Sequence, residues 1–540
     1  MKTRYIFTSL LSASLTVTGC QDMDTLPDGG MFGDAQKENI AEQLPERGVA
    51  RVNAIFASFS QYFPNSSALG AERHNDIGYP TVMLCTDTNG QDMVSDNNGY
   101  NWTGSDLDYS DRENTSLEGQ MVWNDMYSII FAANNVVGSI DENTEDAENM
   151  FYLAQGLGAR AFAYHVLAQL YQFNYVGHEN DRCVPLITDK NAEQAAVDGC
   201  PTSTVKEIYT QIETDLTKAI DLLGKAEQAK VTRSDKRYIS LSVAYGLRAR
   251  MYLAMQEYAK AADDAKNAID EAKAEGLAIA ATDAVGIPTF SSSDETNWMW
   301  GILINETDGV VTSGICNWPS HMGSLSYGYA NYSGGRQIST QLYAEINSND
   351  VRKDWWLNAE GKSDNGFLNN EQTEFVETYG YKPYTQVKFA PYNNVVGTTI
   401  NASDIPLMRV EEMYLIAAES YAMSGSADGK KYFDEFVNNR MRVNSNPYAS
   451  DYTADPQEAV YTQKRIELWG EGLIWFDIMR LGKGIDRRGC GFPNAECIFK
   501  IEPTDDILLW RIPEAELQAN KQLTTDDSPA WTLPTPVSDN

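Results

Sequence analysis

The sequence has little of what common enzyme sites require. Its 540 residues hold four histidines, His74, His165, His178 and His321. None has the HExxH spacing, which excludes a zinc-protease helix. No GxSxG occurs, which removes the nucleophile turn of the α/β-hydrolases. Gly361-Lys362-Ser363 ends like a phosphate loop, but Trp356 stands where the first glycine is required. Seven cysteines are present and no two form a CxxC, so a zinc ribbon is excluded. Basic residues are scarce: 42 Lys and Arg face 76 Asp and Glu, a formal charge of −34. Nucleic acid and anionic lipid both need clustered Lys and Arg, so neither is expected as a partner. After residue 20 no run approaches the roughly 20 apolar residues of a spanning helix. No catalytic residue can be assigned. What survives is a pair of carboxylates joined by folding, all that a glycosidase needs.

What is present begins with a leader. Lys2 and Arg4 precede the apolar stretch from Tyr5 to Val17, and Val17-Thr18-Gly19-Cys20 reads as a lipoprotein cleavage box. Residues 1–19 are thus predicted to be removed and Cys20 lipidated, each buried CH₂ adding about 0.8 kcal/mol to the anchor. Losing Lys2 and Arg4 takes the formal charge from −34 to −36. Membrane contact is expected through the lipid only. Residues 20–45 are polar, with Pro27, Gly29 and Gly30, and read as a flexible tether. Export permits disulfides; Cys490/Cys497 and Cys183/Cys200 are the nearest pairs in sequence.

Residues 46–540 read as one mainly α domain; 42% hydrophobic and 11% aromatic residues are enough for a sizeable core. Helical periodicity runs from Glu46 to Phe63, from Trp123 to Ile140 and from Gly156 to Gly177. Tyr245, Ala249, Tyr252, Tyr258, Ala261, Ala265 and Ala268 fall on the small and aromatic positions of a tetratricopeptide repeat. Gly156–Gly177 and Arg409–Arg440 look like degenerate copies. The predicted scaffold therefore spans about 46–278 and 404–485. It carries a large irregular insertion, about 279–403, of loops, short strands and short helices, with TNWMWGILIN as one strand. A second aperiodic stretch, 71–112, is predicted as a Gly/Asn/Asp-rich loop.

Both aperiodic segments mix rings with short polar side chains. The apolar face of a pyranose packs on a ring while amides and carboxylates bond its hydroxyls. From the first segment Asp92, Tyr100, Asn101 and Trp102 are candidate carbohydrate contacts, with Asp87, Asn89 and Tyr109 nearby. The second offers Trp318, Tyr327 and Tyr329, with Tyr332 beyond them. Packing alone accounts for many such aromatics. Asp92, Asp96, Asp106, Asp108 and Asp111 supply oxygens of the kind calcium takes, but the EF-hand spacing and its closing Glu are missing. A solvated acidic loop explains them, and no cofactor is implied.

The stretch RIELWGEGLIWFDIMR, Arg465 to Arg480, organises the rest. Ile466, Trp469, Leu473 and Phe476 form one apolar row, and Leu468, Trp475 and Met479 form another. So wide a stripe predicts a helix buried on most sides, close-packed at Gly470 and Gly472, with its charges paired. Arg465, Glu467-Leu468, Glu471-Gly472, Trp475-Phe476-Asp477, Arg480 and Gly482 resemble the C-terminal signature of the SusD/RagB family. Ile405-Pro406-Leu407-Met408-Arg409 with Glu412, Tyr414-Leu415 and Ala417-Ala418-Glu419 resembles a second block. Ile512-Pro513, Glu516-Leu517 and Asn520 resemble the closing motif. Asp350-Val351-Arg352-Lys353 resembles a further, structural one. Ile474 and Lys521 depart from the pattern.

The resemblance implies a lipoprotein on the extracellular face of an outer membrane, with several helical repeats. Such a protein would bind oligosaccharide and pass it to a SusC-like TonB-dependent outer-membrane transporter, capping that transporter's mouth. Asp22 and Asp24 after Cys20 resemble the acidic export signal of such lipoproteins. Ligand contacts in the family come from its variable regions, so the resemblance assigns no binding residue. The alternatives are a peptide-binding relative, a helical glycoside hydrolase and a bare interaction scaffold.

Overall fold

The structure, a computed structural model, describes residues 45–323, 325–530 and 532–539. Cys20, the 1–19 leader and all but the last residue of the 20–45 tether lie outside the described residues. Helices dominate, and the strands pair only in twos. No helix among the described residues is long and apolar enough to cross a membrane.

The scaffold opens with α1 (Pro45–Ala57), α2 (Tyr79–Asn89), α3 (Leu117–Val137) and α4 (Ala147–Tyr171). It continues with α5 (Val205–Gln228), α6 (Leu241–Ala254) and α7 (Tyr258–Ala274), and resumes with α8 (Val410–Met423), α9 (Asp428–Asn438), α10 (Pro456–Glu467) and α11 (Ile474–Arg480). Side chains fix where these helices start. Ser116 accepts from the Gly119 N–H before α3, and Thr204 with Glu207 forms a capping box before α5. Helix α4 packs on α3 and α5, α7 on α6 and α8, and α8 on α9 and α10. The tetratricopeptide-like positions are where helices touch: Ala249, Ala261, Ala265 and Ala268 are buried, with Tyr252 beside them. At Gly246 a Cβ would lie 2.4 Å from Met408 Sδ, so the methionine packs directly against the glycine backbone there.

Two predicted elements differ. Residues 71–112 are not one loop, because Tyr79–Asn89 is a helix with every residue buried. A helix without a polar face shows no helical period, and YPTVMLCTDTN therefore reads as irregular. Conversely, Arg465–Arg480 is not one helix. Helix α10 ends at Glu467 and α11 starts at Ile474. Between them Gly470 and Gly472 adopt φ of +78° and +70°, a region glycine enters freely. The turn inserts tightly: a Cβ on Gly472 would stand 2.7 Å from Met83 Cα in α2.

That turn closes over an ionic centre. Glu467 accepts from Arg409 (2.9 Å) and from Arg440 (2.9 and 3.0 Å), and Glu471 accepts from Arg409 (2.8 and 2.9 Å) and Lys388 (2.7 Å). Arg352 chelates Asp350 and reaches Glu467, and Glu411 pairs with Arg409 and Arg440. Four cations thus face four carboxylates, all buried. Burial alone would push the Glu467 carboxyl up, but Arg440 and Arg409 hold it well below its usual range. The centre is electrically complete, which makes it architecture.

Between 279 and 403 only short elements form, the longest being Asn370–Thr378. Two antiparallel strand pairs fasten this region to the scaffold. Strands β1 (Met93–Val94) and β3 (Gln337–Ile338) pair with Met93 opposite Ile338. Strands β2 (Trp298–Ile302) and β4 (Ile405–Arg409) pair with Ile302 opposite Ile405. All six described cysteines are free, so neither Cys490/Cys497 nor Cys183/Cys200 is bridged.

Candidate functional site

The β1–β3 pair draws the first aperiodic segment against the second. The Asn98 amide donates to Ser333 O (3.1 Å), and Arg336, just before β3, is a buried clasp between them. Its guanidinium donates to Ser95 Oγ (2.9 Å), Asn101 Oδ1 (3.1 Å), Thr103 Oγ1 (3.0 Å) and His321 O (3.2 Å). Every one of these acceptors is neutral, and burial pushes Arg336 down to about 10.

Rings cover the clasp in two layers. In the inner layer His74 lies between Phe63 (5.7 Å, 19°) and Trp102 (4.6 Å, 22°), and Arg73 covers the Trp102 ring at 4.9 Å. Tyr329 stacks on His321 at 5.1 Å and 10°, and its hydroxyl bonds His74 Nδ1. Burial pushes His321 down to about 3, so it is neutral and gives its Nε2 hydrogen to His74 O (2.8 Å). Burial also lowers His74, with Arg73 adding to the effect against Glu72. The outer layer is a pair of open rings, Tyr100 and Tyr332, 52% and 48% exposed, with centroids 5.4 Å apart at 35°. Tyr327, half-buried, meets Tyr332 edge-on at 6.1 Å. Half-open rings can stack an apolar ligand face, and they supply phenolic hydroxyls at the rim.

The sequence candidates divide between these layers and the core. Tyr100, Tyr327, Tyr329 and Trp102 converge here, although Trp102 is sandwiched and Tyr329 is stacked beneath. Trp318 does not join them: it is 2% exposed and packs edge-on against Phe389 at 4.8 Å. The largest side chain releases the most apolar area on burial, so a tryptophan in a loop tends to anchor that loop. Asp92 is buried in a two-pronged pair with Arg465 (2.6 and 2.8 Å), and Asn101 is buried in the Arg336 clasp. Asp87 and Asn89 lie in buried α2, and Tyr109 donates to Asn89 O from the core. The five aspartates do not form one cluster: Asp92 faces Arg465, Asp96 faces Lys382, Asp108 accepts from Ser110, and only Asp106 and Asp111 meet, with Arg112 on Asp111. Among the described residues no three His, Cys, Asp or Glu side chains converge as a metal site. Tyr332 is more exposed than any tryptophan among the described residues, and its setting in YSGGR is the signal for it. Tyr62, 46% exposed and stacked on Phe63 at 4.0 Å, has no such signal.

Comparison with known proteins gives a consistent picture. Residues 59–253 match a family described as starch-binding and associating with the outer membrane, and residues 290–531 match the SusD family. A SusD-like carbohydrate-binding protein from Bacteroides vulgatus shares 22% identity with a TM-score of 0.71 over 90% of this chain and 98% of that one. A SusD superfamily protein from Bacteroides thetaiotaomicron shares 20% at a TM-score of 0.68 over 89% and 98%. Surface glycan-binding protein A from the same species, solved with laminarihexaose, shares 17% at 0.62 over 89% and 99%. No curated protein matches.

Proposed function

Because this chain belongs to the SusD/RagB family, we propose that it is a cell-surface binding protein for neutral oligosaccharides. In this reading it is held in the outer membrane through Cys20 and delivers its ligand to a SusC-like TonB-dependent transporter. The family's association with starch and the outer membrane, and a relative seen with laminarihexaose, support a carbohydrate ligand. The observation that carries the reading is the Tyr100–Tyr332 pair, contributed by two segments far apart in sequence and left open to solvent. The cations around it are already matched, Arg73 by Glu118 and Lys382 by Asp96, so the surface suits uncharged hydroxylated rings better than peptide termini. Catalysis has no place in this reading: Glu118 and Asp96 are partners of those cations, and among the described residues no second free carboxylate is seen to face Glu72 across the rings.

Titration calorimetry with neutral hexasaccharides tests it. Tyr100→Ala and Tyr332→Ala are each expected to weaken binding roughly thirtyfold, as loss of a central ring does, with the melting temperature unchanged. Unaltered affinity in both would place binding elsewhere, and release of reducing ends during incubation would make the protein a hydrolase. Metabolic labelling with a fatty-acid probe should mark the wild type and spare Cys20→Ala. Affinity purification from detergent-solubilised outer membranes should retain a TonB-dependent transporter; its absence would remove the delivery step.

A further inference from the structure

A buried acid pair lies behind the platform loop, outside everything the tyrosines use. Asp106, in the short helix Gly104–Asp108, is fully buried, and its carboxyl meets both the Asp111 carboxyl and the Cys85 thiol of α2. Asp111 is provided for at one oxygen only. Its Oδ2 accepts from Arg112 Nη1 (2.7 Å) and from the Asn89 amide (3.2 Å). Its Oδ1 and both Asp106 carboxyl oxygens are buried without a well-aligned donor. The charges nearby pass Asp106 by as well. Arg112 serves Asp111, and Glu118 at the start of α3, which also faces Asp106, is paired with Arg73. Arg336 faces Asp106 from the platform side, but its hydrogens go to neutral acceptors. Arg487, beyond Asp111, gives its own to backbone carbonyls, Leu107 O among them.

An unpaired charge buried beside a like charge is driven to take up a proton. One hydrogen on Asp106 resolves both difficulties: it removes the second charge, and it gives Asp111 Oδ1 a donor. The Cys85 thiol, a weak donor, then serves the remaining Asp106 oxygen. We propose that Asp106 is an un-ionised carboxylic acid that donates its hydrogen to Asp111 Oδ1, and that this shared hydrogen fastens the platform loop to the scaffold. The chain from Tyr100 runs through Thr103, which accepts from Arg336, to Asp106, whose N–H bonds Thr103 O (3.2 Å) and whose carbonyl accepts from Asn89 of α2 (3.0 Å). Asp111 is tied in turn through Arg112 to Ile507 O (3.2 Å). Burial, with Asp111 adding to it, holds the Asp106 carboxyl well above the usual carboxylate range. Burial raises the Cys85 thiol too, so it keeps its hydrogen. The unfolded chain releases the Asp106 proton near pH 3.9; above that pH the fold holds a proton that the unfolded chain lacks, and stability from this site falls as pH rises. None of this depends on what the tyrosine pair binds.

Asp106→Asn tests the hydrogen directly, because an amide donates to Asp111 at every pH. Urea denaturation of the wild type and Asp106→Asn is followed from pH 5 to pH 8, with an infrared difference spectrum of the two folded proteins at pH 8. The folding equilibrium constant of the variant should gain on that of the wild type by up to about tenfold per pH unit. The difference spectrum should show the carbonyl band of an un-ionised acid in the wild type alone. Native-state hydrogen exchange reads the fastening: amide protection over residues 100–112 should be kept in Asp106→Asn and fall about tenfold or more in Asp106→Leu, which has no donor. Loss of folding in Asp106→Leu alone is the extreme of the same expected result. A ratio of folding constants that stays level with pH, or a carboxylate band in place of the acid band, shows Asp106 ionised in the fold and overturns the proposal. Equal protection in the Leu and Asn variants overturns the fastening. Should Asp106→Asn fail to fold, Asp106→Ser, whose hydroxyl also donates, replaces it in every measurement. Failure of both neutral donors to fold overturns the proposal as well.

Discussion

The ionic centre and the ring platform both gather polar and aromatic side chains near this chain's loops, and they are finished in opposite ways. Around Glu467 and Glu471 each charge has a partner within about hydrogen-bond distance, and none of the set is exposed. Nothing there is left for a ligand to satisfy. Around Tyr100 and Tyr332 the support is equally complete, with Arg336 holding both segments, but the last layer is left open. A binding surface differs from a core in having unused capacity on a rigid base, and only the platform has it. Burying charge sharpens structure at a cost in desolvation, whereas exposing two rings forgoes the burial of large apolar side chains.

The largest expected effects lie in the ionic centre and the core. Glu471→Ala leaves Lys388 buried without its carboxylate and Arg409 half-paired, which should cost about 3–5 kcal/mol of stability. Glycan affinity of the folded fraction should not change. Chemical denaturation and calorimetry on one preparation check both; a large affinity loss at unchanged stability would move the binding site to the signature turn and abolish the contrast. Trp318→Ala should behave as a core deletion, losing about 3–5 kcal/mol without loss of affinity. If it weakens binding at unchanged stability instead, the platform extends to a ring that the structure buries.

The sequence makes the scaffold legible and the platform only half so. Small and aromatic residues at repeat spacing locate α6 and α7, since helix contact is a periodic demand. The pairing of charges around Glu467 and Glu471 follows from their apolar neighbours, because an unpaired buried charge is too costly. The break at Gly470 was hidden because both halves keep a helical stripe, and only backbone dihedrals reveal the turn. Helix α2 was hidden because full burial erases its period. Among loop aromatics the physics of size misleads: tryptophans are easy to single out, yet Trp318 is buried while Tyr100 and Tyr332 stay open. Exposure depends on what lies across from a ring, and β1–β3 pairing, which decides that, involves two-residue strands with no sequence signature.

A third kind of polar site gives an effect with a sign opposite to that of the ionic centre. Asp125 on α3 is buried and shares the Asn65 amide with Asp76, each at 2.8 Å. Burial pushes it up to about 8 against the lowering pull of Asn65, and Asp76 adds to the rise. In the unfolded chain an aspartate titrates near 3.9. Between about pH 4 and pH 8 the folded state therefore holds a proton that the unfolded state lacks, and stability falls as pH rises through that window. One such group contributes at most about 1.4 kcal/mol per pH unit. Asp87, also pushed up to about 8 by burial, acts in the same direction. Urea denaturation at pH 5 and pH 8 should show the wild type more stable at pH 5, and Asp125→Asn should shrink that difference. Equal differences in both proteins would mean that Asp125 is ionised in the fold. Glu467 and Glu471, held low by their cations, should contribute nothing across this window.

The smallest expected effect comes from the residue that belongs to both regions. Trp102 follows Tyr100 by two positions, yet it is half-buried, with His74 stacked on its ring and Arg73 also over it. Arg73 in turn pairs with Glu118 at the start of α3, so Trp102 links the platform loop to the scaffold. Stacking on a ring is worth about 0.5–1.5 kcal/mol and a cation over a tryptophan about 0.5–1 kcal/mol. Trp102→Ala should therefore lower stability by about 1–2 kcal/mol, well short of Trp318→Ala. Because Tyr100 then sits on a looser loop, affinity should fall only a few-fold, against the roughly thirtyfold expected for Tyr332→Ala. Trp102→Phe keeps the stack on His74 and should recover most of both losses. The check is a joint series of melts and titrations over Trp102→Ala, Trp102→Phe and Tyr332→Ala. If Trp102→Ala loses thirtyfold in affinity with its melting temperature intact, Trp102 is the contact ring and the tyrosines are its supports, which reverses the order of the two layers. If the Phe variant fails as badly as the Ala variant, stacking on His74 is not what holds the loop, and the indole is required for something the phenyl ring lacks. Its Nε1, buried without a protein partner, would then be the group to examine.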